Sequence, residues 1–239
     1  MRLDKYVSTL TGMSRKDVKA ALSRGRISVD GVPARDSAMQ LDEHTARITL
    51  DGNELTFKRH THIMMNKPAG VLTATEDRSQ KTVLDILPDD LRVRNLGPIG
   101  RLDKDTTGLM LLTTDGQLAH RLISPRHHVD KVYLARVDGI LDKSDIEAFE
   151  SGMELSDFTA LPAGLEIVEE SLARVTLREG KYHQVKRMLA ARGKPVITLS
   201  RIRMGTIDLD PQLKAGEARL MLPDEIAELY RCAGMEEDT

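Results

Sequence analysis

The stretch from Gly100 to Gly116, GRLDKDTTGLMLLTTDG, constrains the chain more than any other. Leu109, Met110, Leu111 and Leu112 follow Gly108 with no polar interruption, so this segment has no face suited to water. It reads as a central strand buried on both sides and ending at Thr113 and Thr114, after which Asp115-Gly116 turns the chain. The loop before the strand puts Asp103 between Gly100 and Gly108. A carboxylate there is positioned by rigid scaffold yet open to a ligand, which is the placement a catalytic aspartate needs.

The remaining composition narrows the class. A chain of 239 residues with 40% hydrophobic content can bury a real core, and two domains are expected. Aromatics make up 3% and tryptophan is absent, so base stacking would fall to a few Tyr or Phe rather than an extended platform. Cys232 is the sole cysteine, which excludes an internal disulfide and a thiolate metal site and fits a reducing cytoplasm. No apolar run approaches the roughly 18 residues of a membrane span, and Met1-Arg2-Leu3-Asp4 does not start a signal peptide. The expectation is a cytoplasmic monomer with no membrane partner.

The net charge of −2 hides an asymmetry. Residues 1–35 carry eight basic side chains against three acidic ones, and residues 174–203 carry nine against Glu179 alone. The tail from Glu217 is acidic. Two basic stretches in a mildly acidic chain point to a polyanion touched at two places.

Leu3, Val7 and Leu10 share a helical face that Gly12 ends. Ser14 caps a second helix whose apolar face is Val18, Ala21 and Leu22, and Asp30-Gly31 signals a hairpin after it. Another hairpin is expected over Ile48 to Phe57, and the polar run Lys58 to His62 reads as a linker. His60 and His62 have the spacing of a metal pair on a strand, but no acid or thiol lies near them in sequence. Beyond the linker a strand over Ile63 to Met65 is broken at Asn66 to Gly70 and resumes at Val71 to Thr73. Helices are expected over Thr82 to Leu87, Gln117 to Ile123, Asp142 to Ser151, Lys181 to Arg192 and Pro223 to Arg231. Strands are expected over Val132 to Val137, Leu172 to Leu177, Val196 to Leu199 and Thr206 to Leu209. Without regular strand-helix alternation this is α+β: a small N-terminal domain, then a larger one on a mostly antiparallel mixed sheet with flanking helices.

Two groups of motifs resemble known families. The segments MRLDKYV and SRKDVKAALSRGRISVDGVPAR resemble the S4-like RNA-binding domain, which assigns residues 1–59 to RNA docking and residues 60–239 to catalysis. A DNA-type helix-turn-helix is the competing reading of a basic helix pair. Asp103-Lys104-Asp105-Thr106-Thr107 also fits the D-x-D-x-T pattern of haloacid-dehalogenase-like phosphatases. That motif needs an apolar strand before the first Asp, and here the strand follows it. By contrast GRLD-xx-T-x-GL at 100–109 resembles the signature of the pseudouridine synthases. MMNKPAGVLTAT at 64–75, KVY at 131–133 and EGKYHQVKRM at 179–188 agree with it in order and spacing.

The resemblance implies isomerisation of a uridine to its C-glycoside, on the branch acting on small-subunit ribosomal RNA and of the uridine-516 type. A large-subunit target, or a non-catalytic rRNA-binding or assembly factor, is the alternative. Asp103 would be the catalytic aspartate, Tyr133 the ring stacking on the base, and Lys186 the cation that keeps the carboxylate ionised. Arg101 would sit near the flipped nucleotide's phosphate, with Arg126, His127, His183 and Arg187 contacting RNA nearby. In the first domain Arg2, Lys5, Arg15, Lys16, Lys19, Arg24 and Arg26 would contact RNA backbone. No cofactor or metal is implied, because the reaction moves no hydride, phosphoryl group or activated water. The partner is ribosomal RNA or an assembling small-subunit particle.

Overall fold

A computed structural model describes residues 1–42, 46–55 and 60–236, and the chain forms two compact units, residues 1–59 and 60–237. In the first unit, α1 (Leu3–Thr11) buries Leu3, Tyr6 and Val7, and Gly12 ends it in the left-handed region at φ 71°. Helix α2 (Arg15–Ser23) starts at Ser14, whose hydroxyl accepts the Asp17 N–H, and buries Val18, Ala21 and Leu22. Strands β1 (Ile27–Val29), β2 (Val32–Pro33), β3 (Ile48–Leu50) and β4 (Asn53–Leu55) form an antiparallel sheet in the order β2-β1-β3-β4. Phe57, Lys58 and Arg59, the end of the expected hairpin and the start of the expected linker, lie outside the described residues.

The second unit contains β5 (His62–Lys67), β6 (Gly97–Pro98), β7 (Thr107–Thr113), α3 (Gly116–Ile123), β8 (Lys131–Val137) and α4 (Lys143–Ser151). A small ribbon of β9 (Met153–Glu154) and β10 (Thr159–Ala160) follows. The chain continues through β11 (Gly164–Glu169), β12 (Leu172–Leu177), α5 (Gln184–Ala191), β13 (Val196–Met204), β14 (Ile207–Asp208), β15 (Ala218–Leu220) and α6 (Pro223–Cys232). The large sheet runs β11-β12-β8-β13-β7-β5-β15, with β14 on β13 and β6 on β7. Among the described strands of this sheet, β7 and β13 pair in parallel and the other pairs are antiparallel. The fold is α+β, as expected.

Strand β7 explains the apolar run. Met110 and Leu112 pack with Phe149 of α4 and Met188 and Leu189 of α5. Leu109 and Leu111 pack with Leu118 and Leu122 of α3 and Leu229 of α6. Because successive residues of a strand face opposite sides, covering both sides with helices makes the four consecutive positions Leu109 to Leu112 of β7 apolar.

Five local expectations are corrected. Thr82 to Leu87 is a series of turns, because the Asp85 carboxylate takes both the N–H and the hydroxyl of Thr82, and Pro88 leaves too few residues to nucleate a helix. Strand β5 runs through Asn66 and Lys67, and residues 71–73 contribute a bridge between Leu72 and Thr82 instead of a resumed strand. Helix α5 begins at Gln184, since His183 is left-handed at φ 50°. Strand β13 continues to Met204 through two register shifts, so Val196 to Leu199 is its first part. His62 is buried in β5 with Nδ1 3.0 Å from the Thr113 hydroxyl, so the expected linker does not include it.

Candidate active site

Three elements converge on Asp103: the loop entering β7, the middle of β8, and the turn entering α5. Lys67, at the end of β5 and fully buried, organises the first. Its ammonium donates to the backbone carbonyls of Pro68 (3.1 Å), Asp103 (3.1 Å), Lys104 (3.2 Å) and Thr106 (2.9 Å). The Gly70 N–H adds a bond to the Lys104 carbonyl, and the Thr73 hydroxyl donates to the Leu102 carbonyl at 2.8 Å. The loop therefore keeps one shape although it carries little regular structure. Burial pushes the Lys67 ammonium down to about 8, against the opposing pull of Asp105 and Asp103.

Glycine at position 108 lets this loop meet the sheet. Its φ is +95°, and a Cβ there would lie 2.3 Å from the Arg201 carbonyl oxygen and 3.0 Å from the Arg201 nitrogen. The contact is the parallel register of Gly108 with Arg201, through which β13 anchors β7 directly behind the Asp103 loop.

The Asp103 carboxylate faces the α5 turn. Lys186 Nζ lies 3.0 Å from its Oδ2 and 2.6 Å from Oδ1 of Asp105, and His183 Nε2 is 3.4 Å from its Oδ1. Burial disfavours the Lys186 charge, but the bonds to Asp105 and Asp103 outweigh it and raise the ammonium above its ordinary value. Bonding to Lys186 holds Asp105 below the usual carboxylate range.

Arg101, Leu102, Asp103, Thr106, Tyr133, Gly180, Lys181 and His183 line an open cleft with about 440 Å³ of atom-free space, together with Leu177, Gln184, Val185 and Leu199. Tyr133 is buried and projects from β8 opposite Val175 of β12 and Arg201 of β13. It meets the cleft among Leu177, Val185 and Leu199, so an aromatic face and a carboxylate border one space. The Thr106 hydroxyl is buried on the same wall with no hydrogen-bond partner among the described residues. A bound polar group would satisfy it.

The residues expected at the chemistry therefore come together: Asp103, Tyr133, Lys186, Arg101 and His183. Arg101 is exposed at the rim and makes no ion pair among the described residues. Arg187 is held by Asp157 and lies over the Phe158 ring, 4.8 Å from its centroid. Arg126 and His127 are exposed on a short turn after α3 and do not line the cleft. In the first unit Arg2 is bidentate to Asp4 and Arg26 pairs with Asp51, while Lys5, Arg15, Lys16, Lys19 and Arg24 are exposed. The structure adds Lys67, Asp105 and Thr106, which stand inside motifs read from the sequence but were given no role at this site. The available signal was a lysine two residues beyond the apolar run Ile63-Met64-Met65, on the strand's alternation with Met65. No group of three His, Cys, Asp or Glu capable of holding a metal ion occurs among the described residues.

The site is thus a carboxylate countered by a lysine and bordering the same open cleft as an aromatic ring. The chain belongs to the RNA pseudouridylate synthase family, which it matches over residues 61–191. It is 43% identical to an uncharacterized RNA pseudouridine synthase, YtzG, of Bacillus subtilis (strain 168), across 95% of this chain and 97% of that protein. It is 41% identical to ribosomal small subunit pseudouridine synthase A of Vibrio cholerae, across 97% of this chain and 100% of that protein. The synthase A of Escherichia coli (strain K12) is also 41% identical, across 95% of this chain and 99% of its own length. A crystal structure of a pseudouridylate synthase superposes with a TM-score of 0.67 at 34% identity, covering 96% of this chain and 99% of that one.

Proposed function

We propose that this enzyme converts one uridine of small-subunit (16S) ribosomal RNA, of the uridine-516 type, to pseudouridine, with Asp103 as its catalytic carboxylate. The observation that carries the reading is the placement of Asp103, with Lys186 at 3.0 Å, across one cleft from Tyr133. The full-length likeness to small-subunit synthases supports the choice of RNA.

The reaction breaks the bond between N1 and C1′, turns the uracil, and joins C5 to C1′. The proton on C5 leaves and N1 ends protonated, so nothing is added or lost. Asp103 serves as nucleophile or as base, and Lys186 balances its charge as the phosphate-rich ligand arrives. Extruding the uridine costs a few kcal/mol of stacking, which the Tyr133 face helps to return. The Thr106 hydroxyl offers the base or ribose a hydrogen bond, and Arg101 at the rim offers the backbone a cation. Residues 1–59 act as an S4-like RNA-binding domain that captures the substrate, and the enzyme works as a cytoplasmic monomer. No helix among the described residues is long and apolar enough to cross a membrane.

The test is pseudouridine mapping of unmodified small-subunit RNA after incubation with wild type and Asp103→Asn, without added metal or nucleotide. One new pseudouridine with wild type, and none with the variant at similar RNA affinity, is expected. Equal modification by both proteins would remove Asp103 from the mechanism. Modification of large-subunit RNA alone would move the target.

A further inference from the structure

We infer that Tyr182 and His183 form a two-ring platform on which an unpaired RNA base next to the target uridine stacks. This rests on the RNA substrate proposed above.

Tyr182 is 74% exposed, whereas the other described Phe and Tyr rings are buried or half-buried. Its ring stacks on His183 with centroids 3.8 Å apart and planes inclined by 18°. An aromatic ring in water contributes little to folding, yet this one is held on a well-tied turn. Gln184 Nε2 donates to buried Glu179 at 2.7 Å, and its Oε1 accepts the Lys181 N–H at 3.1 Å. The Arg187 N–H bonds the His183 carbonyl at 2.9 Å. His183 itself keeps a left-handed backbone, φ 50° and ψ 32°, a conformation uncommon for a non-glycine residue.

The turn is part of the reaction site. Gly180, Lys181 and His183 line the cleft, and His183 Nε2 is 3.4 Å from Asp103. The platform thus begins beside the carboxylate and extends outward to an open ring face. A uridine drawn into the cleft leaves its neighbours without a stacking partner on one side. An exposed aromatic face beside the cleft replaces that partner for any base, because every base has a flat π-surface. Lys181, exposed on the same turn, supplies a cation for the adjoining phosphate. Tyr133 takes the extruded base and Tyr182 its neighbour, so the few aromatics of this chain are divided between two nucleotides.

The experiment uses the small-subunit RNA segment in which wild type forms its pseudouridine, with KM and kcat measured for wild type, Tyr182→Phe and Tyr182→Ala. Two further substrates carry an abasic residue on the 5′ or the 3′ side of the target. Tyr182→Ala is expected to raise KM about 5- to 150-fold, with kcat changed far less, and Tyr182→Phe to restore it. On one abasic substrate wild type should show the same rise, and Tyr182→Ala should cost nothing further. An unchanged KM for Tyr182→Ala, or a rise equally large on the intact and both abasic RNAs, overturns the platform while leaving the proposed function intact. If wild type forms no pseudouridine in any ribosomal RNA, the substrate reading falls and the platform with it.

Discussion

Among the described residues Lys67 is a cation with no ion pair, surrounded by four carbonyl oxygens of the Asp103 loop and its approach. Its proton leaves near 8 in the folded chain and near 10.5 in the unfolded one. Between those values the unfolded chain binds more protons, so the contribution of Lys67 to stability grows as pH rises from about 8 to 10.5. Urea unfolding of wild type and Lys67→Met at pH 7, 8, 9 and 10 isolates this effect. The stability difference should shift in favour of wild type above pH 8, by up to about 3 kcal/mol if the whole change were reached. A difference that stays flat with pH would show that the ammonium is not desolvated. Asp103 and Lys186 are legible in the sequence because each sits in a motif whose chemistry needs an acid or a base. Lys67 also stands in a motif, at 64–75, but its role is not legible there, since its partners are backbone carbonyls and a lysine before Pro68 reads as a break in a strand. Thr106 escapes for a similar reason: an unpaired hydroxyl is visible only once the wall around it is built.

At the scale of elements, β7 shows which patterns survive translation into structure. Its apolar run requires cover on both faces, and the two helical layers supply it. The same run says nothing about its neighbour β13, which lies 93 residues further on at Arg201 and pairs in parallel. Gly108 is where the two strands touch, and its role is set by that distant backbone. Gly108→Ala would force a Cβ against the Arg201 carbonyl at a φ of +95°. Both atoms belong to backbone in the middle of the sheet, so neither moves cheaply. The expected loss is about 3 kcal/mol or more in denaturant unfolding, with activity falling in parallel as the Asp103 loop shifts. Loss of less than about 1 kcal/mol would mean that the two strands separate here without cost. The turns over Thr82 to Leu87 teach the converse lesson. Helical spacing of Val83, Leu84 and Leu87 is present, but the Asp85 side chain, accepting from the N–H and hydroxyl of Thr82, decides the conformation.

For the molecule as a whole, the two basic stretches are not equivalent. In residues 174–203, Arg174 pairs with Glu166, Arg178 with Asp130, Arg187 with Asp157, Arg192 with Asp145, Lys194 with Asp142 and Arg203 with Asp208. Lys186 is engaged by Asp103 and Asp105, and Arg201 is buried. Counting charge along the sequence overstates this surface, because most of the acids that neutralise it lie on other elements. Residues 1–42 differ: Lys5, Lys16, Lys19 and Arg24 are exposed and have no side-chain hydrogen bond or ion pair among the described residues. Arg15, Lys16 and Lys19 stand together on α2, so the RNA capture proposed for residues 1–59 is tested at this helix. Changing all three to Ala should weaken RNA binding and flatten its salt dependence. The slope of log K against log salt should fall by about 0.7 to 0.9 for each phosphate that the variant no longer neutralises. The helix keeps its Ser14 cap and its apolar face, so the fold should be unaffected. Turnover at saturating RNA should be preserved, because Asp103, Tyr133 and Lys186 are untouched. Filter binding across a salt series, with single-turnover pseudouridine formation alongside, reads both effects. Unchanged affinity and slope would take α2 out of the capture step and leave binding to the cleft and its rim.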